Sequence, residues 1–350
     1  MSVTVRLLAE APAGAADAWD RFVHATEAAT FFHKAGWAGV IERSFGHPTH
    51  YAFAEQDGAI VGVLPLARMR TLLFGDVLAS TPFCVYGGPV AVTEAAHAAL
   101  VSHAVALRKR LGAPALEFRR IEAADDGFAV RPPLYFTFRK PIHFTGDAEK
   151  DLTRNVPVKR RSEIRKGYKR GATSIANRDV ATLYAVYAES VRNLGTPVFP
   201  RRYFDALIEA FPDATSIVTV LHEGAAVASA LSFHFRDQVL PYYVGGTRAS
   251  RACAGSDVMF YEVMRRAGLE RGARLYDFGR SKLGTGAFEF KRHYGFEPEP
   301  LHYCYDLAPG ARIPENNPNN PKYRAFIALW KRLPLWLANR LGPPLVRGLG

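Results

Sequence analysis

Apolar residues fall in short bursts, broken by glycine, proline and aspartate, and recur every three or four positions in the longer segments. Val3 to Leu8 predicts a first strand, and Asp17 to His24 and Phe31 to Phe45 predict helices. Tyr51 to Glu55 and Ala59 to Leu66 flank Gln56-Asp57-Gly58, the pattern of a hairpin with a tight turn, with Pro65 suited to a strand edge or bulge. The stretch from Phe74 to Val90, with Pro82, Gly87, Gly88 and Pro89, reads as a structured loop. Ala95 to Leu111 predicts an amphipathic helix stopped by Gly112, followed by strands at Leu116 to Arg119 and Leu134 to Arg139.

The second half repeats this skeleton. Helices are expected at Val180 to Asn193 and Arg202 to Phe211, then a hairpin from Ser216 to Phe235 turning at His222-Glu223-Gly224. A strand at Gln238 to Val244, a helix from Ser256 to Arg271, a strand at Arg274 to Gly279, a short helix at Phe288 to Tyr294 and a strand at Leu301 to Leu307 follow. Hairpins combined with a strand–helix–strand element predict an α/β (α+β) fold with mixed, twisted sheets. Tyr51 to Leu66 aligns with Ile217 to Phe233, and Ala115 to Arg119 with Leu275 to Arg280, an internal duplication at a period of roughly 165 residues. Two unrelated α/β domains sharing common hairpins are the alternative. The polar, turn-rich segment after residue 145 divides the chain into domains at 1–148 and 149–310, with a tail at 311–350.

The chain has 350 residues, 48% hydrophobic, a length comfortable for two domains. Its net charge of +12 favours polyanionic partners: nucleic acid, phosphorylated cofactors or an anionic membrane face. Cys84, Cys253 and Cys304 are too scattered for a disulfide framework or a zinc site, and no histidine spacing suggests a metal. No DNA-binding motif is visible. The N-terminus lacks the features of a signal peptide, and no apolar run is long enough to span a membrane, so a cytoplasmic location is expected.

Residues 276 to 296, Tyr-Asp-Phe-Gly-Arg-Ser-Lys-Leu-Gly-Thr-Gly-Ala-Phe-Glu-Phe-Lys-Arg-His-Tyr-Gly-Phe, resemble the signature of the FemAB-like family, and within it the branch associated with exosortase/PEP-CTERM exopolysaccharide systems. Phe31 to Trp37, Ser80 to Phe83, Tyr86-Gly87-Gly88 and the basic helix Arg161 to Lys166 resemble the same branch. The resemblance implies two tandem GNAT-type halves. It also implies transfer of an acyl or aminoacyl group, from acyl-CoA or from aminoacyl-tRNA, to a cell-envelope precursor. The family's phenylalanine–lysine pair, which faces the donor, corresponds to Phe290 and Lys291. The long helical arm that some members place near tRNA has no counterpart in this sequence.

Acyl transfer needs a bound donor, an acceptor that can lose a proton and a stabiliser for the oxyanion. A GNAT-type site binds donor phosphates at a splayed strand and the N-terminus of the next helix. Arg248 to Asp257 is the matching segment, with Arg251, Gly255 and Ser256 as donor-binding candidates; an ordinary helix cap by Ser256 or Asp257 is the plain alternative. Lys291 could neutralise a phosphate or the oxyanion, or be a solvated lysine, and Phe290 could line an acyl pocket or belong to the core. Asp277 could act as base or pair with Arg280, itself a donor-binding candidate, to hold a turn. Glu289 and His293 are further base candidates. Of Tyr242 and Tyr243, alternation turns one toward the cleft, where a phenol could protonate the leaving group; plain sheet packing is the alternative.

The basic helix Lys159 to Arg170 offers Arg161, Arg165 and Lys166 to an anionic acceptor, either a small molecule or a lipid-linked saccharide or peptide, or forms a solvated charged face. The tail after the Pro/Asn-rich linker Ile313 to Asn320 mixes tryptophan, leucine, lysine and arginine, which suits a membrane interface or packing on the protein's own surface. Pro334 should split it into two helices. Three functions are consistent with this reading: an acyl-CoA-type acyltransferase of exopolysaccharide or envelope synthesis, a tRNA-dependent aminoacyltransferase, and a non-catalytic peripheral assembly factor.

Overall fold

In the computed structural model, the structure describes residues 2–71, 74–314 and 321–349, with side chains from 325 onward in the last segment. The linker positions 315–320 and the side chains of Lys322 and Arg324 lie outside the described residues.

In chain order the elements are β1 (Thr4–Leu7), α1 (Ala15–Ala25), α2 (Trp37–Phe45), β2 (Ala52–Gln56), β3 (Ala59–Leu64), β4 (Ala67–Thr71), β5 (Gly75–Ser80), β6 (Val90–Ala91), α3 (Glu94–Leu111), β7 (Ala115–Arg120) and β8 (Ala129–Val130). They continue with β9 (Tyr135–Pro141), α4 (Ala148–Asn155), α5 (Val158–Lys169), β10 (Thr173–Asn177), α6 (Val180–Leu194), α7 (Arg201–Ala210), β11 (Thr215–His222), β12 (Ala225–Phe235) and β13 (Gln238–Gly246). The last are α8 (Gly255–Arg271), β14 (Leu275–Asp277), β15 (Ser281–Lys282), α9 (Gly286–His293), β16 (Pro298–Pro300), β17 (His302–Leu307), α10 (Pro321–Trp330) and α11 (Leu335–Val346).

The chain divides into two units, one of residues 1–134, 300–316 and 346–350, the other of 135–299 and 317–345. Each runs strand, two helices, hairpin, helix, strand, with β4, β5 and β6 between hairpin and helix in the first (β1 to β7) and β13 alone there in the second (β10 to β14). The duplication read from the sequence is thus a duplication of topology. The strands that complete the units are exchanged along the chain. β17, expected to close the second half, lies antiparallel to β7 in the first unit. β9, expected in the first half, lies antiparallel to β14 in the second. The cut therefore falls at residue 134, and the second unit is not one continuous segment. Alternation gives a strand its faces but does not name its partner.

Two local expectations change. The stretch read as one helix from Phe31 breaks after a 3-10 turn at Phe31–His33, because Lys34 is extended and α2 starts only at Trp37. The loop read from Phe74 contains β5, whose glycine-rich flanks hid a strand that pairs in parallel with β7.

In the first unit the wedge between β5 and β7 is filled. The N–H of Gly87 donates to the Arg119 carbonyl at 2.6 Å, and that of Gly88 to Ser80 Oγ at 2.6 Å. A Cβ on Gly87 would sit 2.1 Å from the Ser80 carbonyl oxygen, so only glycine allows this approach. The helix that follows, α3, is capped by Thr93, whose side chain accepts from Ala96 N–H at 3.2 Å.

His33 is buried in this unit, its Nδ1 accepting from the Thr30 N–H at 3.1 Å. Burial lowers its pKa from 6.5 to about 4, against the backbone bonds to Gly88 and Thr30. Between those values the unfolded chain binds the proton and the folded one does not, so stability is lost as pH falls through this window. The contribution is about 3 kcal/mol, read as a drop in the urea midpoint between pH ~7 and pH ~4.5 that His33→Gln reduces.

Candidate functional site

In the second unit the same wedge is open. β13 and β14 pair in parallel only at Gln238↔Leu275 and Val239↔Tyr276. Pro241, which has no N–H to donate, follows, and then Tyr242 is the extra residue of a bulge, since Leu231 pairs with Tyr243 and Ser232 with Pro241. The bulge bends β13 away from β14. Among the described residues no strand pairs with that edge of β13 beyond Val239.

β13 leads into a 3-10 turn at Ala249–Arg251 and then α8. Ala254, in the left-handed conformation at φ 50°, opens α8, and no side chain caps it. The N–H groups of Gly255, Ser256 and Asp257 therefore stand at the positive end of a 17-residue helix. Ser250 Oγ and Ser256 Oγ lie 3.1 Å apart and pack the loop against Gly246, where a Cβ would sit 2.8 Å from Ser256 Oγ. A cleft of about 420 Å³ opens here, with Arg248, Arg251, Ser256 and Asp257 on one side and Ser190, Asn193 and Leu194 of α6 on the other. Arg248 and Arg251 are exposed. The cleft thus combines uncapped backbone donors, two cations and a neighbouring open strand edge with two carboxylates, Glu163 and Asp257, that are paired with Lys166 and Arg160; the donors and the two exposed cations suit a phosphorylated ligand with an extended arm.

The structure brings Arg251 and Ser256 to this cleft, with Gly255 directly behind. It does not bring the three residues expected to react. Lys291 is only 9% exposed, and its Nζ donates to the carbonyls of Phe278, Gly279 and Arg280 at 2.6, 2.9 and 3.0 Å. All three protons of an ammonium are used, so Lys291 clamps the turn after β14 and has none left to offer in this arrangement. Burial pulls its pKa down to about 7, with Asp277 opposing and Arg280 adding. Asp277 is 1% exposed and accepts from the Gly279 N–H at 2.7 Å and from Thr137 Oγ1 at 3.4 Å, the turn-holding role. Tyr243 is buried among Tyr187, Phe204 and Phe233, with its hydroxyl 2.6 Å from that of Tyr203. It packs the sheet against α6 and α7.

The remaining candidates divide. Tyr242 is half-buried against Phe233, and Arg280 stacks on Tyr135 at 4.8 Å. Phe290 is half-buried and joins Phe260, Phe278 and Tyr294 in an aromatic cluster. On α5, Arg165 pairs with Glu149, and Lys166 with Glu163 at 2.7 Å; both pairs are solvent-facing and of little energetic weight. Arg161 is half-buried, with its Nε bonded to no described residue.

The cation of α5 that does reach the site is Arg160. It pairs with Asp257 at 3.3 Å and lies 4.7 Å above the ring of Phe290. Burial raises the Asp257 pKa, and Arg160 opposes it. Arg160 so offsets a carboxylate that would repel an anion at the helix N-terminus. The signal was available: Ile164 and Gly167 form the buried stripe of α5, and Arg160 lies one turn before Ile164 on that face.

Residues 158–292 match the family described as acetyltransferase (GNAT) domain. The fold is similar to that of FemX, over 93% of this chain and 100% of that one, with 16% identity and a TM-score of 0.67. It is also similar to a tandem GNAT protein from the clavulanic acid biosynthesis pathway, over 87% of this chain and 98% of that one, with 13% identity and a TM-score of 0.55. A third similar structure is the C-terminal DUF2156 domain of a putative lysylphosphatidylglycerol synthetase from Agrobacterium fabrum, over 85% of this chain and 93% of that one, with 13% identity and a TM-score of 0.55. A comparison with curated proteins found no match. The chain has the tandem GNAT acyltransferase fold, with its GNAT domain in the second half.

Proposed function

We propose that this protein is an acyltransferase that takes an acyl group from a coenzyme A thioester to an amine or hydroxyl of a cell-envelope or exopolysaccharide precursor. The observation that carries the reading is the open wedge of the second unit beside an uncapped helix, where the first unit has the same elements with the wedge filled and the helix capped.

The donor's pyrophosphate would rest on the N–H groups of Gly255, Ser256 and Asp257, with Arg248 and Arg251 at its flanks. A pantetheine arm carries amide groups and would add to the free edge of β13 as a short strand does. This puts the thioester near the bulge, beside the turn that Lys291 and Asp277 hold. The acceptor's lone pair attacks the thioester carbonyl, the C–S bond breaks, and the proton shed by the acceptor ends on the departing sulfur, which leaves as the coenzyme A thiol. The envelope or exopolysaccharide acceptor rests on the resemblance of residues 276–296 and on the basic surface of α5.

Thermal unfolding with donors in excess tests the reading. Acetyl-CoA at about 100 times its dissociation constant should add about 2.7 kcal/mol, a rise of several degrees. Charged tRNA is expected to leave the midpoint unchanged. Stabilisation by charged tRNA alone would replace the thioester donor with an aminoacyl one, and no response to either would favour a non-catalytic protein.

A further inference from the structure

The described part of the tail folds back onto the second unit along one face and leaves the other bare. Trp330 and Ala338 are buried, and α10 and α11 meet at a corner formed by residues 331–334. The corner sits on the end of α6: a Cβ on Gly195 would lie 2.5 Å from Ile327 Cγ2 and 3.2 Å from Lys331 Cε, and Arg192 Nη1 donates to the Lys331 carbonyl at 3.4 Å. Outward from this seat stand Trp336 at 69% and Leu329 at 64% exposure, with Lys331 and Arg332 between them in the chain, all exposed. Arg340, one helical turn after Trp336, shares its face, and Leu194 on α6 is 68% exposed. Residues 321–347 carry Lys322, Arg324, Lys331, Arg332, Arg340 and Arg347 and no aspartate or glutamate.

We infer that this corner docks the protein on an anionic lipid surface. Exposed tryptophan and leucine are costly in water and suit the headgroup boundary, where an indole has both an apolar body and a polar edge. The cations beside them match acidic headgroups, and the segment itself carries no carboxylate to offset that attraction. None of the described helices is long and apolar enough to cross a membrane, so the contact is with the interface. The same patch reaches the cleft: Leu194 belongs to both, and Asn193 and Ser190 line the cleft on the same helix. Docking through this corner holds the mouth of the cleft at the bilayer, which fits an acceptor carried on a lipid. That last step rests on the reading of the cleft as the acyl-transfer site; the docking itself does not.

Co-sedimentation of the full chain with vesicles of phosphatidylcholine and phosphatidylglycerol, compared with pure phosphatidylcholine, tests this. Binding is expected to the anionic vesicles and to weaken with salt. Lys331→Glu with Arg332→Glu should lower the partition coefficient at least roughly fivefold per cation. Trp336→Ser with Leu329→Ser should lower it about tenfold or more, since both apolar anchors are lost. These side chains are exposed, so an unchanged unfolding midpoint confirms that the variants fold. Equal binding by wild type and variants, or none to either vesicle, overturns the inference. So does a light-scattering mass that falls from dimer to monomer in the Trp336→Ser, Leu329→Ser variant without vesicle binding by the wild type, which would make a second copy the occupant. Acetyl-CoA titration of the wild-type protein separates the two readings: donor binding present while vesicle binding is absent sinks only the docking, and the reverse sinks only the cleft.

Discussion

Arg248→Glu combined with Arg251→Glu lowers the affinity for acetyl-CoA by about a hundredfold or more. Both arginines are exposed at the lip of the cleft, and no ion-pair partner for either guanidinium stands among the described residues. A charge-assisted bond to phosphate contributes roughly 1.5–3 kcal/mol, and about 1.4 kcal/mol is tenfold in binding, so losing two such bonds already accounts for the factor. Reversing the charges adds repulsion that screening only partly removes. Fold stability should stay within about 0.5 kcal/mol, as for other surface substitutions. Titration calorimetry at two salt concentrations measures it. An unchanged dissociation constant would mean that the donor's phosphates lie elsewhere.

The second large effect is on the fold of the site. Lys291→Ala leaves the carbonyls of Phe278, Gly279 and Arg280 without their shared donor in a buried setting. The expected loss is about 3 kcal/mol, seen in the urea midpoint. Lys291→Met keeps an aliphatic stem near Phe138 and Phe278, whose ring centres lie 5.3 and 5.7 Å from Nζ, and should lose nearly as much, because the carbonyls are equally unpaired. Turnover should fall as well, since the clamped turn borders the wedge and a displacement of about 1 Å costs on the order of a hundredfold. A Lys291→Met protein of wild-type stability with no turnover would restore Lys291 as a reacting group.

The two expected effects divide the proposed site: exposed cations are expected to hold the ligand, while buried polar groups hold the walls. Asp277, by its bond to the Gly279 N–H, and the neutral Tyr243, by its hydroxyl contact with Tyr203, belong with Lys291 among the groups that hold the walls. Motif reading could not separate the groups, because the resemblance singles out Phe290 and Lys291 without saying how many acceptors surround an ammonium. Three carbonyls within 3.0 Å identify a clamp, and only the fold brings them there.

Much of the local structure was legible. The Asp57-Gly58 turn forms with φ of 53° and 79°, Gly112 ends α3 in the left-handed conformation, and the tail breaks into α10 and α11 around Pro334. Each follows from a residue whose backbone preferences have few outlets. The place of the loop before α8, between a strand and a helix, was legible, and so was its standing as a candidate donor site. The exchange of β9 and β17 was not, because both strands have ordinary alternation and the partner is chosen by long-range packing: Tyr303 donates its hydroxyl proton to the Val85 carbonyl at 3.2 Å within the first unit. Pro241 was the overlooked sign. A proline inside an apparent strand marks an edge, and here that edge is the open side of the wedge.

Amide hydrogen exchange with and without acetyl-CoA bears most directly on the wedge. Slowed exchange is predicted at residues 242–246 of β13 and 255–258 of α8, with none at 75–93 in the filled counterpart of the first unit. Protection confined to the first unit, or none at the α8 N-terminus despite measurable binding, would contradict it.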